Sequence, residues 1–409
     1  MLVGDPAALA TKPRSGAAPS HVGRRPVINL TTLLDPAPPP PDDVRYGTHR
    51  PAGARRPVVA WTVTRSCNLA CRHCYSASIN HRYPGELSDD EAFAFIDDLV
   101  AMPATALLLS GGEPTMHPRL PEFAHRASDA GLRVTLSTNG TFAADPGYAD
   151  ELADAGLRYI GVSFDGVGSV HDDFRGVEGA FAQSLAGIRN LRARGVRVGL
   201  RMTLTKTATP HIDEIFDLVR REGFGRICFY HFVPSGRGRA AQAEALTHEE
   251  SRWAVDKIIE FADDLRTEAP DAEVLTVANS ADGPRLLQWL AARGRPTDAA
   301  EARLARVGGN RSGKAIAHVT NTGDVHPDQF SWGVKVGSIR ERPFSEIWAD
   351  ESGLLGELRT REQRLSGRCA SCRYLPLCGG SMRARAKTAG DGAWGSDPGC
   401  YLTDAEIAA

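Results

Sequence analysis

The chain has 409 residues, of which 42% are hydrophobic and 24% are charged, and its formal net charge is -2. These values are typical of a globular protein of two or three domains, and the lack of a basic excess argues against nucleic-acid binding. Because no apolar run is long enough to cross a bilayer and no secretory signal opens the sequence, we expect a soluble, cytoplasmic protein.

Residues 1–57 are predicted to form a flexible, proline-rich arm. Residues 36–41 contain five prolines and one alanine, and such a run is too extended for a helix. Residues 27–30, Val-Ile-Asn-Leu, form the one apolar patch of this arm that could dock on the body of the protein.

From residue 58 onward, apolar or β-branched runs alternate with longer helix-like segments. The runs predict buried parallel strands joined by crossover helices, at residues 58–63, 106–109, 134–137, 159–164, 198–204 and 227–232. Ser88 and Glu91 form a capping box that marks the start of the first helix. The alternation predicts an α/β fold over residues 58–240, but periodicity alone does not separate a Rossmann-like sheet from a partial barrel.

Three cysteines, Cys67, Cys71 and Cys74, follow the first predicted strand. Thiolates at this spacing can ligate three irons of one cubic 4Fe-4S cluster, which leaves the fourth iron open to a substrate or cosubstrate. A zinc site normally uses paired cysteines or adds histidine. Because His73 stands between two of the cysteines, it is poorly placed to complete the same tetrahedron, and we favour the cluster.

This Cys-x3-Cys-x2-Cys segment resembles the signature of the radical S-adenosylmethionine (SAM) enzymes, whose penultimate position is usually aromatic and here is His73. The resemblance runs from about Pro57 to the C-terminus. It implies a partial (β/α)6 barrel in which SAM chelates the open iron. An electron from the cluster then cleaves SAM to methionine and a 5'-deoxyadenosyl radical, which abstracts hydrogen from an unreactive carbon. A low-potential electron donor of the flavodoxin or ferredoxin type is also implied.

Glycine-rich and polar motifs fall at the predicted carboxyl ends of the strands, where parallel α/β folds bind ligands. Gly111, Gly112 and Glu113 follow the second strand. The glycines let backbone approach a ligand, and Glu113 can accept from an ammonium group. The segment resembles the family's Gly-Gly-Glu-Pro motif, which implies contact with the SAM amino group.

Further candidate SAM contacts end the next strands. Asn139 follows the third strand and Ser163 and Asp165 follow the fourth, although Asn-Gly and Asp-Gly are also ordinary turn formers. Similarity to the family's ribose motif implies that Asp165 bonds a ribose hydroxyl and Ser163 the methionine end. Arg201, on the fifth strand, suits the SAM carboxylate because a guanidinium matches carboxylate geometry, with a buried structural ion pair as the alternative.

The sixth strand leads into a glycine loop with Arg237 and Arg239, which could grip acidic groups or form a solvated basic turn. Cys228, on the strand, is interpreted as a small core residue. Residues 241–313 are predicted to be a helical connecting segment with little sign of chemistry.

Residues 314–409 carry four more cysteines, Cys369, Cys372, Cys378 and Cys400. Four thiolates saturate one tetrahedral zinc or one whole 4Fe-4S cluster, and spacing does not separate these choices. The arrangement resembles the SPASM or twitch auxiliary-cluster domain of radical SAM enzymes. The resemblance implies a single, fully ligated auxiliary cluster that accepts or relays an electron.

Several strings resemble the radical SAM enzymes that modify tetrapyrroles in the heme d1 and alternative heme pathways; they lie at residues 230–238, 308–313, 326–330 and 340–348. The resemblance implies an oxidoreductase or lyase acting on a tetrapyrrole propionate, with His326 and Asp328 lining the substrate pocket and arginines meeting carboxylates. Ser331 departs from the family, which tends to place tryptophan there. The alternatives are maturation of a ribosomal peptide or small metabolite and, outside catalysis, a zinc-stabilised binding module.

Overall fold

A computed structural model of the protein describes residues 27–37, 56–102, 104–389 and 392–408. In these ranges one sheet of eleven strands forms the centre of the fold. The strands are β1 Val27–Asn29, β2 Val58–Thr64, β3 Ala106–Gly111, β4 Val134–Thr138, β5 Tyr159–Ser163, β6 Val198–Leu204, β7 Arg226–His231, β8 Glu273–Val277, β9 Ile316–Val319, β10 Asp324–His326 and β11 Gly337–Ser338. Their order across the sheet is β1-β8-β7-β6-β5-β4-β3-β2-β9-β10-β11.

Helices connect and cover these strands. They are α1 Leu30–Leu33, α2 Asp89–Ala101, α3 Leu120–Asp129, α4 Pro146–Asp154, α5 Ser169–Arg175, α6 Ala180–Ala193, α7 Ile212–Glu222, α8 His248–Glu268, α9 Asp282–Ala292, α10 Asp298–Val307, α11 Phe344–Ala349, α12 Gly353–Arg359, α13 Leu375–Cys378, α14 Arg383–Thr388 and α15 Asp404–Ile407. The predicted capping box of α2 is present, because the Ser88 side chain accepts from the Glu91 N–H and Glu91 reaches back to the Ser88 N–H.

The six predicted strands are confirmed as β2 to β7. Each pairs in parallel with the next in chain order, so all carboxyl ends meet at one edge of the sheet. Every residue of β2 is buried, as expected of a parallel strand covered on both faces. Trp61 of β2 packs against Phe95 of α2 and Phe123 of α3, with ring centroids 5.6 and 5.4 Å apart. The predicted α/β core of six parallel strands and their crossover helices is therefore present.

Both sides of this core carry strands that the sequence pattern did not predict. The segment expected to be helical, 241–313, contains β8, which extends the parallel array beside β7. The apolar patch at 27–30 docks, because β1 pairs with β8 in the antiparallel sense; most of the predicted arm lies outside the described residues. At the other side β9 pairs with β2 in parallel, and β10 and β11 follow as an antiparallel ribbon.

No helix in the described part of the chain combines the length and apolarity that a membrane span requires.

Candidate active site

The three cysteines of the first motif lie on the loop that leaves the carboxyl end of β2. Cys67 and Cys71 are buried, and Cys74 is half-buried. Two backbone N–H groups donate to sulfur, that of Leu69 to Cys67 Sγ at 3.4 Å and that of Ser78 to Cys74 Sγ at 3.3 Å. Burial raises the pKa of the Cys67 and Cys71 thiols. Thiolates here therefore need a positive partner, which a metal centre supplies.

Gly111 and Gly112 allow the end of β3 to pack directly against this loop. A Cβ on Gly111 would lie 2.4 Å from Thr64 O, and one on Gly112 would lie 2.4 Å from Ser66 O. The Gly112 N–H donates to Thr64 O at 2.9 Å. In the structure the glycines allow a close approach of two backbone segments, and their contact with SAM stays a prediction.

Glu113 and Asn139 form hydrogen bonds that link the ends of β3 and β4 to each other and to the cysteine loop. The Glu113 carboxylate is fully buried and accepts four hydrogen bonds, two from Thr115, one from Thr138 Oγ1 and one from the Asn139 N–H. Burial raises the pKa of this carboxyl, and the four donors work against that rise. Asn139 Nδ2 donates to Asn68 Oδ1 at 2.7 Å. SAM contacts by Glu113 and Asn139 stay predictions.

Asp165 lies beneath the cysteine loop and forms an ion pair with Arg175. Its Oδ1 accepts from the Thr203 N–H at 2.7 Å, and His73 Nε2 lies 3.8 Å from its Oδ2. Burial alone would raise the pKa of this carboxyl, but Arg175, His73 and the Thr203 N–H outweigh it and lower the pKa. The carboxylate is thus engaged by the protein, and its contact with ribose stays a prediction.

A cavity of about 700 Å³ opens at the carboxyl ends of β3 to β7, and Ser163 and Arg201 line it. The Arg201 guanidinium is buried and donates through Nη1 to Ser137 Oγ, while Nη2 has no hydrogen-bond partner among the described residues. Gly161 makes room for it, because a Cβ there would lie 2.2 Å from Arg201 Nε. A buried cation with a spare donor suits a ligand carboxylate.

The other five predicted SAM contacts, Gly111, Gly112, Glu113, Asn139 and Asp165, do not line this cavity. Their contacts in the structure are with the cysteine loop, with the neighbouring strand ends and with Arg175.

A second cavity of about 990 Å³ adjoins the first, since Leu108, Tyr230, Gln329 and Phe330 line both. Asp328 lines this second cavity. Its Oδ1 accepts from the Phe330 N–H at 2.8 Å, and its buried Oδ2 has no hydrogen-bond partner in the described part of the chain. Asp328 therefore lies at a cavity wall, and its contact with a substrate stays a prediction.

His326 lies away from both cavities, contrary to the expected position at the pocket wall. Its Nδ1 lies 2.8 Å from Val334 O, so this nitrogen carries the proton. Burial lowers the pKa of His326. Its ring lies 5.8 Å from that of His318 and 6.3 Å from that of Trp332. These contacts give His326 a packing role between β10 and the following loop.

Arg237 was expected to bind substrate carboxylates, but its side chain forms hydrogen bonds with the backbone of the cysteine loop instead. Its Nε donates to Cys71 O at 2.8 Å and its Nη1 to Ser78 O at 3.1 Å. Arg239 is exposed to solvent. Neither arginine lines the two cavities, so the sequence interpretation of both as substrate anchors is not supported by their positions.

The four C-terminal cysteines, Cys369, Cys372, Cys378 and Cys400, line a third cavity of about 470 Å³. Burial raises the pKa of Cys378, and it raises the pKa of Cys400 to about 11. Within the described ranges, no three His, Cys, Asp or Glu side chains are grouped closely enough to hold a single metal ion. Four thiolates could saturate one zinc ion or one whole 4Fe-4S cluster, and the auxiliary cluster stays a prediction.

Comparison with known proteins decides the family. The profile of the Radical SAM superfamily matches residues 61–219. The Fe-coproporphyrin III synthase of Methanosarcina barkeri is 42% identical over 396 residues, which cover 93% of this chain and 99% of that protein. The pre-heme d1 synthase of Dinoroseobacter shibae is 40% identical over 357 residues, 87% of this chain and 88% of that protein. The chain belongs to the radical SAM superfamily.

The fold of this radical SAM enzyme also agrees with solved structures. The crystal structure of Streptococcus suis SuiB bound to S-adenosylmethionine superposes with a TM-score of 0.67 at 15% identity, covering 85% of this chain and 78% of that one. At this identity the likeness establishes the fold alone. Membership of the superfamily confirms the expected SAM-binding 4Fe-4S cluster and SAM as cofactors, and the buried loop with three thiols and N–H donors to sulfur fits that cluster.

Arg175 is a site residue that sequence reasoning missed. It lies in α5, ten residues after Asp165, and its Nη1 donates to Cys71 Sγ at 3.5 Å. No spacing rule links an arginine in a helix to a cysteine 104 positions earlier. The only available signal was its position shortly after the Ser-Phe-Asp-Gly turn at 163–166.

Gly112→Ala should destabilise the enzyme by about 1–3 kcal/mol and reduce the iron that it retains, because the new Cβ would clash with backbone oxygens of Arg65 and Ser66. Gly225→Ala is the matched control, since a Cβ there would meet no atom within 4 Å. Urea denaturation midpoints and iron per chain after anaerobic purification measure the effect. Equal values for the two variants would show that the close approach at Gly112 is unimportant.

Proposed function

We propose that this enzyme modifies a carboxylate-bearing side chain of a tetrapyrrole, most simply by oxidising or removing a propionate. The observation that supports the proposal is the 42% identity to a protein named Fe-coproporphyrin III synthase, which extends over 99% of that relative. A second relative with similar coverage is named pre-heme d1 synthase.

Cys67, Cys71 and Cys74 would hold the SAM-binding cluster, and Arg201 and Ser163 would face SAM in the first cavity. When bound, the reduced cluster and SAM supply a 5'-deoxyadenosyl radical that can remove hydrogen from an unreactive carbon. The protein contributes burial of the cavity and a fixed cation. The unpartnered Nη2 of Arg201 would orient a carboxylate by a charge-assisted hydrogen bond.

The two adjoining cavities suit a large, mostly apolar ligand. The second cavity, of about 990 Å³, has a mainly apolar wall that includes Val58, Leu108 and Met382. Arg201 is the only arginine or lysine among the described residues that line either cavity. Carboxylates of the substrate would therefore meet hydroxyl and amide groups of the wall, such as Ser280 and Asn279.

For the C-terminal unit, we propose residues 314–409 as an auxiliary-cluster domain with Cys369, Cys372, Cys378 and Cys400 as ligands. Four thiolates leave no open iron, so a cluster there would accept or relay an electron rather than bind substrate. A flavodoxin- or ferredoxin-type protein is the proposed source of the electron that reduces the SAM-binding cluster. The other proposed units are the arm 1–57, the core 58–240 and the connecting segment 241–313.

Product mass tests the proposed function. The anaerobic enzyme is incubated with SAM, dithionite and either didecarboxysiroheme or iron-coproporphyrin III, and the tetrapyrrole is then analysed by mass spectrometry. We expect loss of carboxyl mass from one of them, together with 5'-deoxyadenosine. The same mixture without SAM is the control. Formation of 5'-deoxyadenosine without any change in either tetrapyrrole would reject the proposed substrate class, and bound zinc without sulfide would reject the clusters.

A further inference from the structure

The C-terminal end of α5 accepts hydrogen bonds from the backbone on both sides of Cys71. The Ala70 N–H donates to Arg175 O at 3.0 Å, and the Arg72 N–H donates to Phe174 O at 3.2 Å. These two donors belong to the residues that flank Cys71 in the chain. The helix end therefore fixes where Cys71 lies and, with it, the position of Arg175 relative to the sulfur.

The Arg175 side chain joins a ligand sulfur to a buried carboxylate. Its Nη1 donates to Cys71 Sγ at 3.5 Å, and its Nη2 forms the ion pair with Asp165 Oδ2. The side chains of Arg175 and Asp165 are 7% and 1% exposed, so solvent screens their charges little. Asp165 keeps its charge because the neighbouring cation lowers its pKa, although burial alone would raise it.

A cluster that gains an electron gains a negative charge, and its reduction potential depends on nearby charges and on hydrogen bonds to its sulfurs. A buried guanidinium that donates to a ligand thiolate stabilises the reduced form more than the oxidised form. A buried carboxylate behind that guanidinium acts in the opposite direction. Both effects are strong in a site of low dielectric constant.

We propose that Arg175 is a positioning residue that raises the reduction potential of the SAM-binding cluster through the Cys71 thiolate, and that Asp165 limits this effect. In the step concerned, one electron from an external reductant enters the cluster, and no bond forms or breaks. The inference requires a cluster on Cys67, Cys71 and Cys74, and it does not depend on the identity of the substrate.

A redox titration of anaerobic protein, followed by electron paramagnetic resonance, tests this inference. The signal of interest is the one that changes when SAM is added. Arg175→Gln should shift its midpoint to lower potential, and Arg175→Lys should give an intermediate value because lysine keeps the charge without the forked donor. Asp165→Asn should shift it to higher potential. General damage to the fold would not shift the midpoint potential in opposite directions when the two members of one ion pair are replaced.

Arg226→Gln is the matched control, since Arg226 forms a buried ion pair with Glu273 at the amino-terminal end of β7, away from the cluster loop. It should leave the midpoint unchanged. An Arg175→Gln midpoint equal to that of wild type, at full iron content, would overturn the inference. If Arg175→Gln loses iron, the test uses Arg175→Lys and Asp165→Asn instead. Wild-type midpoints in both of these variants would overturn the inference. A wild-type protein without iron and sulfide would instead contradict the cluster itself.

Discussion

Replacing Cys71 with alanine is expected to abolish the formation of 5'-deoxyadenosine from SAM. Only three cysteines of the β2 loop are available to hold the SAM-binding cluster, and Cys71 is the one whose backbone is bound on both sides by α5. Loss of one thiolate from a three-ligand site removes the geometry that leaves a single iron open. With the proposed auxiliary cluster on the four C-terminal thiolates, iron should fall from about eight to about four atoms per chain.

Cys228→Ala is the matched control for this experiment. Cys228 is also buried, but it lies in β7 among core residues, and neither cysteine group includes it. The control should keep both its iron and its SAM cleavage. If Cys71→Ala still cleaves SAM at the wild-type rate in the presence of dithionite, the assignment of the β2 loop as the cluster site is wrong.

Replacing Asp397 with asparagine is expected to destabilise the C-terminal unit by about 3–5 kcal/mol, because the change leaves the buried Arg385 charge uncompensated. Asp397 is 1% exposed and accepts from Arg385 Nε and Nη2, each at 2.7 Å. It also accepts from the N–H groups of Met382 and Gly399, both at 2.9 Å. Gly399 immediately precedes Cys400, so loss of the carboxylate should also reduce iron at the C-terminal cysteines.

The pH dependence of this effect follows from the depressed pKa of Asp397. Burial alone would raise that pKa, but Arg385 and the backbone donors lower it to about 2. A group with a depressed folded pKa stabilises the fold above its unfolded pKa of about 4, and the contribution is lost as pH falls toward the folded value. The difference between Asp397→Asn and wild type should therefore be constant across neutral pH.

Asp404→Asn is the control for Asp397→Asn. Asp404 also pairs with an arginine, Arg368, but its side chain is 84% exposed. Exposed ion pairs contribute about 0–1 kcal/mol, so this variant should change the urea midpoint little. The comparison is made by urea denaturation and by iron content of the anaerobic proteins. Similar midpoints for the two variants would show that the buried pair does not stabilise the C-terminal unit.

The elements of the barrel core were predictable because each has a strong local signal. The six runs from residue 58 to residue 232 are mainly apolar or β-branched, as is usual for strands buried on both faces, and all six became β2 to β7. The strand β8 was missed because it lies between the helices α8 and α9, in a segment that was interpreted as helical throughout. The pairing of β1 with β8 joins residues about 250 positions apart, and no periodic pattern reports such a contact.

In the candidate site, too, local features of the sequence were predictable and long-range contacts were not. Cys67, Cys71 and Cys74 were recognisable because their spacing on one loop is itself the chemical requirement. Arg237 was assigned to substrate carboxylates, whereas in the structure it donates to a backbone carbonyl of the cysteine loop. Asp165 pairs with Arg175, and its contact with ribose stays a prediction. A buried polar group must find a partner, and whether that partner is a ligand or another residue depends on which elements meet there.

By itself, the amino-acid sequence determined the chemistry and the parallel core, since cysteine spacing and strand hydrophobicity are local properties of the chain. Only the tertiary structure decided which charged side chains face the cavities and which brace the cysteine loop. Arg201 lies against the cavity because Gly161 on the neighbouring strand leaves room for it. Arg175 reaches Cys71 because the end of α5 packs on that loop. Both outcomes depend on distances between residues that are remote in sequence, and these distances exist only once the sheet and its helices have packed.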